Sequence, residues 1–114
     1  MAIITLSSCG ADNVANFEII NQTSETIDSV KVSCSGTNYF QKSKSEKILP
    51  GEKSNIILKM NGVDRVDGNY YIEIFKNNKQ RSKDFGYYSN GNPNNSIYSL
   101  TIKKDTILIK EFRK

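Results

Sequence analysis

The chain has no histidine and no tryptophan among its 114 residues. Histidine is the usual general base near neutral pH and the commonest metal ligand, so its absence removes Ser-His-Asp and Cys-His catalysis and most metal sites. The sequence also lacks a G-x-S-x-G motif, a phosphate-binding glycine loop and a cluster of metal-ligating residues. We therefore predict a protein that is not an enzyme, with no catalytic residue, no metal site and no cofactor.

Cysteine and proline are scarce as well, with two of each. Two cysteines are too few for a disulfide framework, so the fold has to depend on a hydrophobic core, which 114 residues are enough to build. Cys34 falls on the apolar face of a predicted strand, where we expect it to be an inert, buried hydrophobic residue.

The charge of the chain is mild and evenly distributed. The chain has sixteen basic and twelve acidic residues, which gives a formal net charge of +4. Proteins that bind nucleic acids cluster their basic residues, so we predict a solvated basic surface and no nucleic-acid partner. After Cys9, the sequence has no apolar run of membrane-spanning length.

The first residues are mostly apolar and are followed by small ones. Leu6-Ser7-Ser8-Cys9 resembles a bacterial lipobox, in which a branched apolar residue and two small residues precede the cysteine that is lipidated. The resemblance implies cleavage before Cys9, diacylglycerol on its sulfur, and a lipid anchor in the bacterial cell envelope, on the outer membrane and facing the periplasm or the surface. Because no basic residue precedes this short apolar run, we expect the true start to lie further upstream.

The lipobox resemblance and the composition predict three segments of the chain. Residues 1–9 are the remainder of a signal and lipobox segment, and residues 10–15 are small and polar, as in a short flexible tether. Residues 16–114 have the length of one domain.

The strongest strand pattern lies between Asp67 and Phe75. Tyr70, Ile72 and Ile74 alternate on one face, and the opposite face is also mostly apolar. Edge strands usually carry charge, so we predict that this strand lies in the interior of its sheet.

Shorter segments alternate in the same way and are separated by turn residues. Beyond the central strand, the predicted strands are 16–21, 26–34, 46–49, 53–60, 80–88, 96–103 and 106–112. Seven or eight short strands without a helical period predict an all-β fold, an antiparallel β-sandwich. The turn Leu49-Pro50-Gly51-Glu52, which leads into a strand, resembles those of immunoglobulin-like and fibronectin-like envelope domains and implies an immunoglobulin-like sandwich.

Two polar segments carry residues that could have a function. The composition of residues 35–45 predicts a loop. Within it, Tyr39 and Phe40 either cover one end of the sandwich or form a contact patch. Asp64, Asp67 and Asn69 supply fewer than the six or so oxygen ligands that calcium requires, so we predict no calcium site.

The candidate partner-binding residues are Tyr87, Tyr88, Asn90 and Asn92, at and beside the amide-rich loop 89–95. Tyrosine offers a rigid amphipathic contact surface, and asparagine offers adaptable hydrogen bonds. The alternative is that Phe85, Tyr87 or Tyr88 completes the core and the loop is only a connector.

We accordingly predict a monomeric, lipid-anchored binding or accessory module for a protein or glycan in the envelope. The alternative is an immunity lipoprotein that neutralises a toxin, which a neighbouring toxin gene would favour. A self-associating structural subunit would need an exposed edge strand shared between copies.

Overall fold

The structure is a computed structural model that describes residues 13–35, 42–93 and 96–113. The predicted lipobox with Cys9 lies outside the described residues, and so do Tyr39, Phe40 and all of the predicted tether before Asn13.

The described residues form eight strands in two four-stranded sheets. The strands are β1 (Val14–Asn21), β2 (Ser29–Cys34), β3 (Lys42–Ser45), β4 (Lys53–Lys59), β5 (Gly68–Lys76), β6 (Lys79–Tyr88), β7 (Ser96–Ile102) and β8 (Ile107–Arg113). One sheet has the order β4-β1-β7-β8 and the other β3-β2-β5-β6. The predicted all-β sandwich is confirmed, and within the described residues no helix is long and apolar enough to cross a membrane.

Neighbouring strands are antiparallel with one exception. β1 and β7 run parallel, with Phe17 opposite Tyr98 and Ile19 opposite Leu100. The sequence did not reveal this pair, because a parallel and an antiparallel neighbour produce the same alternation of apolar and polar residues.

Alternate residues of both sheets fill one core, as the sequence pattern predicts. The inward residues of five strands are Phe17 and Ile19; Val30, Val32 and Cys34; Ile56 and Leu58; Tyr70, Ile72 and Ile74; and Tyr98, Leu100 and Ile102. Cys34 is buried and takes part in no disulfide among the described residues, as expected from its position on the apolar face. Burial of these side chains removes apolar surface from water, which is the main favourable term for a domain without disulfides.

The predicted interior position of β5 is confirmed. β5 lies between β2 and β6, and β6 is the edge strand of its sheet. The hairpin between them turns at Asn77 and Asn78, which have φ angles of 51° and 62°. Asparagine tolerates these left-handed conformations better than most residues do.

Several predicted boundaries are wrong; the strand predicted at 26–34, for example, begins at Ser29. β1 begins at Val14, so Val14 and the buried Ala15 belong to the sheet and not to the tether. The predicted loop 35–45 contains the edge strand β3, whose polar sequence has no alternation that could have revealed it. The predicted strand 46–49 amounts to a single bridge between Ile48 and Ile27.

The registers define two ends of the sandwich. At one end, which we call the Tyr87 end, β1 begins, β4 leads through residues 60–67 into β5, and β6 leads through residues 89–95 into β7. At the other end, the Lys76 end, lie the turns 22–28, 46–52, 77–78 and 103–106.

Candidate functional site

A β-bulge in β6 decides which of the two adjacent tyrosines faces solvent. Tyr70 pairs with Phe85, but Gly68 pairs with Tyr88, so β6 has one more residue than β5 over this stretch. The extra residue reverses the alternation of side chains. Phe85 and Tyr88 therefore both point inward, whereas Tyr87 is 56% exposed.

Gly86 makes the bulge possible. Its φ angle is +69°, and a Cβ atom there would lie 2.9 Å from the Tyr98 ring and 3.0 Å from the Tyr70 ring. Glycine adopts this conformation without strain and leaves room for the two aromatic rings. A glycine within a strand is typical of a bulge or of a close approach to the backbone, and Gly86 shows both.

The buried Tyr98 holds the backbone of Tyr87 in place. Its hydroxyl group accepts a hydrogen bond from the Tyr87 amide at 3.2 Å and donates one to the Tyr87 carbonyl oxygen at 3.3 Å. The backbone N–H and carbonyl groups of Tyr87 thus both hydrogen-bond to a side chain on the core side of the strand. The backbone that carries the exposed ring is consequently fixed before any partner binds.

Asp67 fixes the ring itself and connects it to the next turn. Its carboxylate accepts a hydrogen bond from the Tyr87 hydroxyl at 3.0 Å and a second from the backbone N–H of Asn90, also at 3.0 Å. The first bond raises the pKa of Tyr87, because it stabilises the protonated phenol. Asp67 thus uses both of its oxygens to brace this surface.

The residues directly after β6 form a tight turn. Ser89 and Asn92 bond to each other through their backbones, and Asn90 and Gly91 between them have φ angles of 53° and 69°. Two consecutive positive φ angles are typical of a type I′ turn, for which Asn-Gly is a favoured sequence. Asn90 and Asn92 are both exposed.

A polar groove of about 360 Å³ lies beside this turn. Its lining comprises Asn13, Met60, Asn61, Val63, Arg65, Asn90, Gly91 and Asn92. The Asn13 side chain donates to the Gly91 carbonyl oxygen at 3.0 Å, which ties the chain before β1 to the turn. Sequence reasoning missed Asn13, Asn61 and Arg65, because only the fold brings their segments to Asn90.

Tyr88 belongs to the core and not to this surface. Its side chain is fully buried, and its ring centroid lies 5.4 Å from that of Tyr70. It joins an aromatic cluster with Phe17, Phe85 and Tyr98, whose neighbouring centroids are 5.1–5.9 Å apart. Of the four predicted contact residues, the structure therefore places Tyr87, Asn90 and Asn92 on the surface and Tyr88 beneath it.

The Lys76 end carries a second cavity that the sequence did not reveal. Its volume is about 380 Å³, and its lining comprises Thr23, Glu25, Ile27, Ile74, Lys76, Asn77, Lys79, Gln80, Arg81, Ile102 and Lys104. These residues come from three separate segments of the chain, 23–27, 74–81 and 102–104. No local signal could have grouped them.

Asn21 fastens the turns around this second cavity. It is fully buried, and its side-chain amide donates to the carbonyl oxygens of Glu25 and Ile48, each at 2.9 Å. Its side-chain oxygen accepts bonds from the backbone amide and the hydroxyl of Thr23. A fully satisfied buried amide of this kind gives the connecting turns one defined arrangement.

Among the described residues, no group of three or more His, Cys, Asp and Glu side chains could hold a metal ion. Asp64, Asp67 and Asn69, which were considered for calcium, do not form such a group. Asn69 instead donates through its side chain to the Tyr70 carbonyl oxygen and to Asp84.

Comparison with known proteins supports the fold. No family model matches the sequence, and no curated protein is significantly similar to it. Among solved structures, the chain is similar to a crystal structure of a "putative cell adhesion protein" from Bacteroides ovatus ATCC 8483, with a TM-score of 0.50 and 7% identity. The match covers 89% of this chain and 44% of the other, so this chain spans less than half the length of that protein.

Proposed function

We propose that this chain is a non-enzymatic binding domain of the bacterial cell envelope, anchored by a lipid on Cys9, which contacts a protein or glycan partner through the surface around Tyr87. The observation that carries the proposal is the exposed and fixed ring of Tyr87. The hydroxyl of Tyr98 bonds to the Tyr87 backbone, and the carboxylate of Asp67 accepts a bond from the Tyr87 hydroxyl. A pre-ordered aromatic ring loses little conformational entropy on binding.

The groove next to Tyr87 indicates the chemistry of the partner. Its rim presents asparagine side chains and the exposed Arg65, with little apolar surface between them. Amide groups can donate and accept hydrogen bonds together, as the hydroxyl groups of a sugar do. A glycan is therefore the partner class that this surface fits best, and a polar protein loop is the other.

The position of β1 relates this surface to the proposed anchor. β1 begins at Val14 at the Tyr87 end, and the five residue steps from Cys9 to Val14 span at most about 18 Å. A lipid on Cys9 would thus hold the Tyr87 surface close to the membrane and direct the Lys76 end away from it. The similarity to a protein named for cell adhesion also supports a role in binding.

Truncating the exposed ring is expected to weaken partner capture strongly and leave the fold intact. Tyr87→Ala should weaken binding roughly 30-fold, since an interface tyrosine of this kind contributes about 2 kcal/mol. The measurement is capture from an envelope extract and from its protein-free polysaccharide fraction by the immobilised domain, together with thermal melting of each variant.

Phe112→Ala is the matched control, because Phe112 is an aromatic residue of similar exposure on the other sheet. It should capture the same partner as the unmodified domain. Equal capture by the Tyr87→Ala and unmodified domains, with both folded, would contradict the proposal. Capture from the polysaccharide fraction would identify the partner as a glycan, whereas protease-sensitive capture would identify it as a protein.

A further inference from the structure

The cavity at the Lys76 end concentrates positive charge. Lys76, Lys79, Arg81 and Lys104 line it, and they come from the β5–β6 hairpin and the turn between β7 and β8. Glu25 is the one carboxylate among the described residues of this lining. The formal charge of the lining is therefore +3, which is most of the net +4 of the whole chain.

Most of this charge has no carboxylate partner. Lys76 pairs with Glu25 at 2.9 Å, whereas no carboxylate of the described residues lies within 4.0 Å of Lys79, Arg81 or Lys104. The nearby Asp28 is engaged by the backbone amide of Asn77 at 3.0 Å. Like charges that converge without counter-charges raise the local positive potential, and a concave surface intensifies it.

Arg81 is positioned for an anion. One nitrogen of its guanidinium group donates to the carbonyl oxygen of Lys103 at 2.9 Å, and this bond joins β6 to the turn after β7. The bond neutralises no charge, and it leaves the remaining N–H groups of the guanidinium available. Because the side chain is half-buried and already oriented, binding a carboxylate or a phosphate there costs little further ordering.

The pKa of Glu25 reflects the positive charge around the cavity. Its carboxylate hydrogen-bonds to Lys76, and this bond, together with the charges of Lys76 and Lys79, lowers its pKa. The cavity thus already stabilises one negative group at its rim.

We propose that the cavity at the Lys76 end binds a small anion that carries carboxylate or phosphate groups, with Arg81 as the oriented contact and the exposed Lys79 and Lys104 as further contacts. A volume of about 380 Å³ suits a ligand of metabolite size. The site lies at the opposite end of the sandwich from Tyr87, so it does not depend on the function proposed above.

Two-dimensional amide NMR of the full chain, titrated with citrate and separately with inorganic phosphate at constant ionic strength, tests the proposal. The amide signals that shift should be those of Thr23, Asn77, Lys79, Arg81 and Lys104. A shift with citrate alone would identify carboxylates as the ligand chemistry, and a shift with phosphate alone would identify phosphates. No localised shift with either probe would overturn the proposal.

Three variants separate a site from general charge attraction. Arg81→Gln combined with Lys104→Gln should weaken binding at least about tenfold, the loss expected for charge-assisted hydrogen bonds. Lys59→Gln combined with Lys110→Gln makes the same change in net charge elsewhere on the exposed surface and should have little effect. Glu25→Gln removes the competing carboxylate and should strengthen binding about fivefold.

Each variant is first checked by thermal melting. If the two double variants weakened anion binding equally, or if Glu25→Gln weakened it, a site in this cavity would be contradicted. Tyr87→Ala should bind the anion normally, so a failure of the function proposed for the Tyr87 surface remains distinguishable from a failure here.

Discussion

Replacing Tyr88 with alanine should destabilise the domain by about 3–5 kcal/mol, because the change leaves a cavity in the aromatic cluster. Tyr88 is fully buried, and its ring packs against that of Tyr70. The adjacent Tyr87→Ala should cost less than about 1 kcal/mol, since it removes an exposed ring and one exposed hydrogen bond.

Urea unfolding of the two variants measures this difference directly. Both variants delete the same side chain from neighbouring positions, so composition and chain length are matched. A smaller loss of stability for Tyr88→Ala than for Tyr87→Ala would mean that the two rings have exchanged places. The aromatic cluster would then have to be assigned differently.

Gly86→Ala should destabilise the fold by about 2–4 kcal/mol. Part of this cost is the left-handed conformation, about 1–2 kcal/mol for a residue with a Cβ atom, and the rest is the clash with two buried rings. The new Cβ atom would lie 2.9 Å from a Tyr98 ring carbon and 3.0 Å from a Tyr70 ring carbon. Neither ring has space into which it could move in a packed core.

Gly51→Ala is the control for the conformational part. Gly51 has a φ angle of +82° in the Pro-Gly turn, and a Cβ atom there would meet nothing within 4 Å. We expect this variant to lose only about 1–2 kcal/mol. If the two alanine variants lost equal stability in urea unfolding, the close packing of Gly86 against the tyrosine rings would be disproved.

The sequence predicted those features of the fold that depend on local alternation and turn chemistry. Tyr70, Ile72 and Ile74 alternate cleanly and the opposite face is mostly apolar, and β5 lies in the interior of its sheet, as this pattern predicts. Pro50-Gly51 and Asn77-Asn78 have the residues that their turns require. β3 escaped prediction because its sequence, Lys-Ser-Lys-Ser, is polar throughout and its position depends on pairing with β2.

The candidate site was only partly predictable, for a different physical reason. Strict alternation from Phe85 would bury Tyr87 and expose Tyr88, whereas the bulge at Gly86 does the opposite. Local sequence signals a bulge at a strand glycine but does not determine which following residue turns inward. The groove and the cavity at the Lys76 end each combine residues from distant segments, and only the tertiary fold brings these together.

Hydroxyl-radical footprinting with mass spectrometry of the folded chain tests the assignment of Tyr87 and Tyr88 most directly. The expected result is rapid oxidation of Tyr87, with Tyr88 protected as strongly as the buried Tyr70 and Tyr98. Addition of the captured partner should then protect Tyr87 as well. Oxidation of Tyr88 at the rate of Tyr87, or a Tyr87 that is already protected in the free domain, would contradict a surface built on Tyr87.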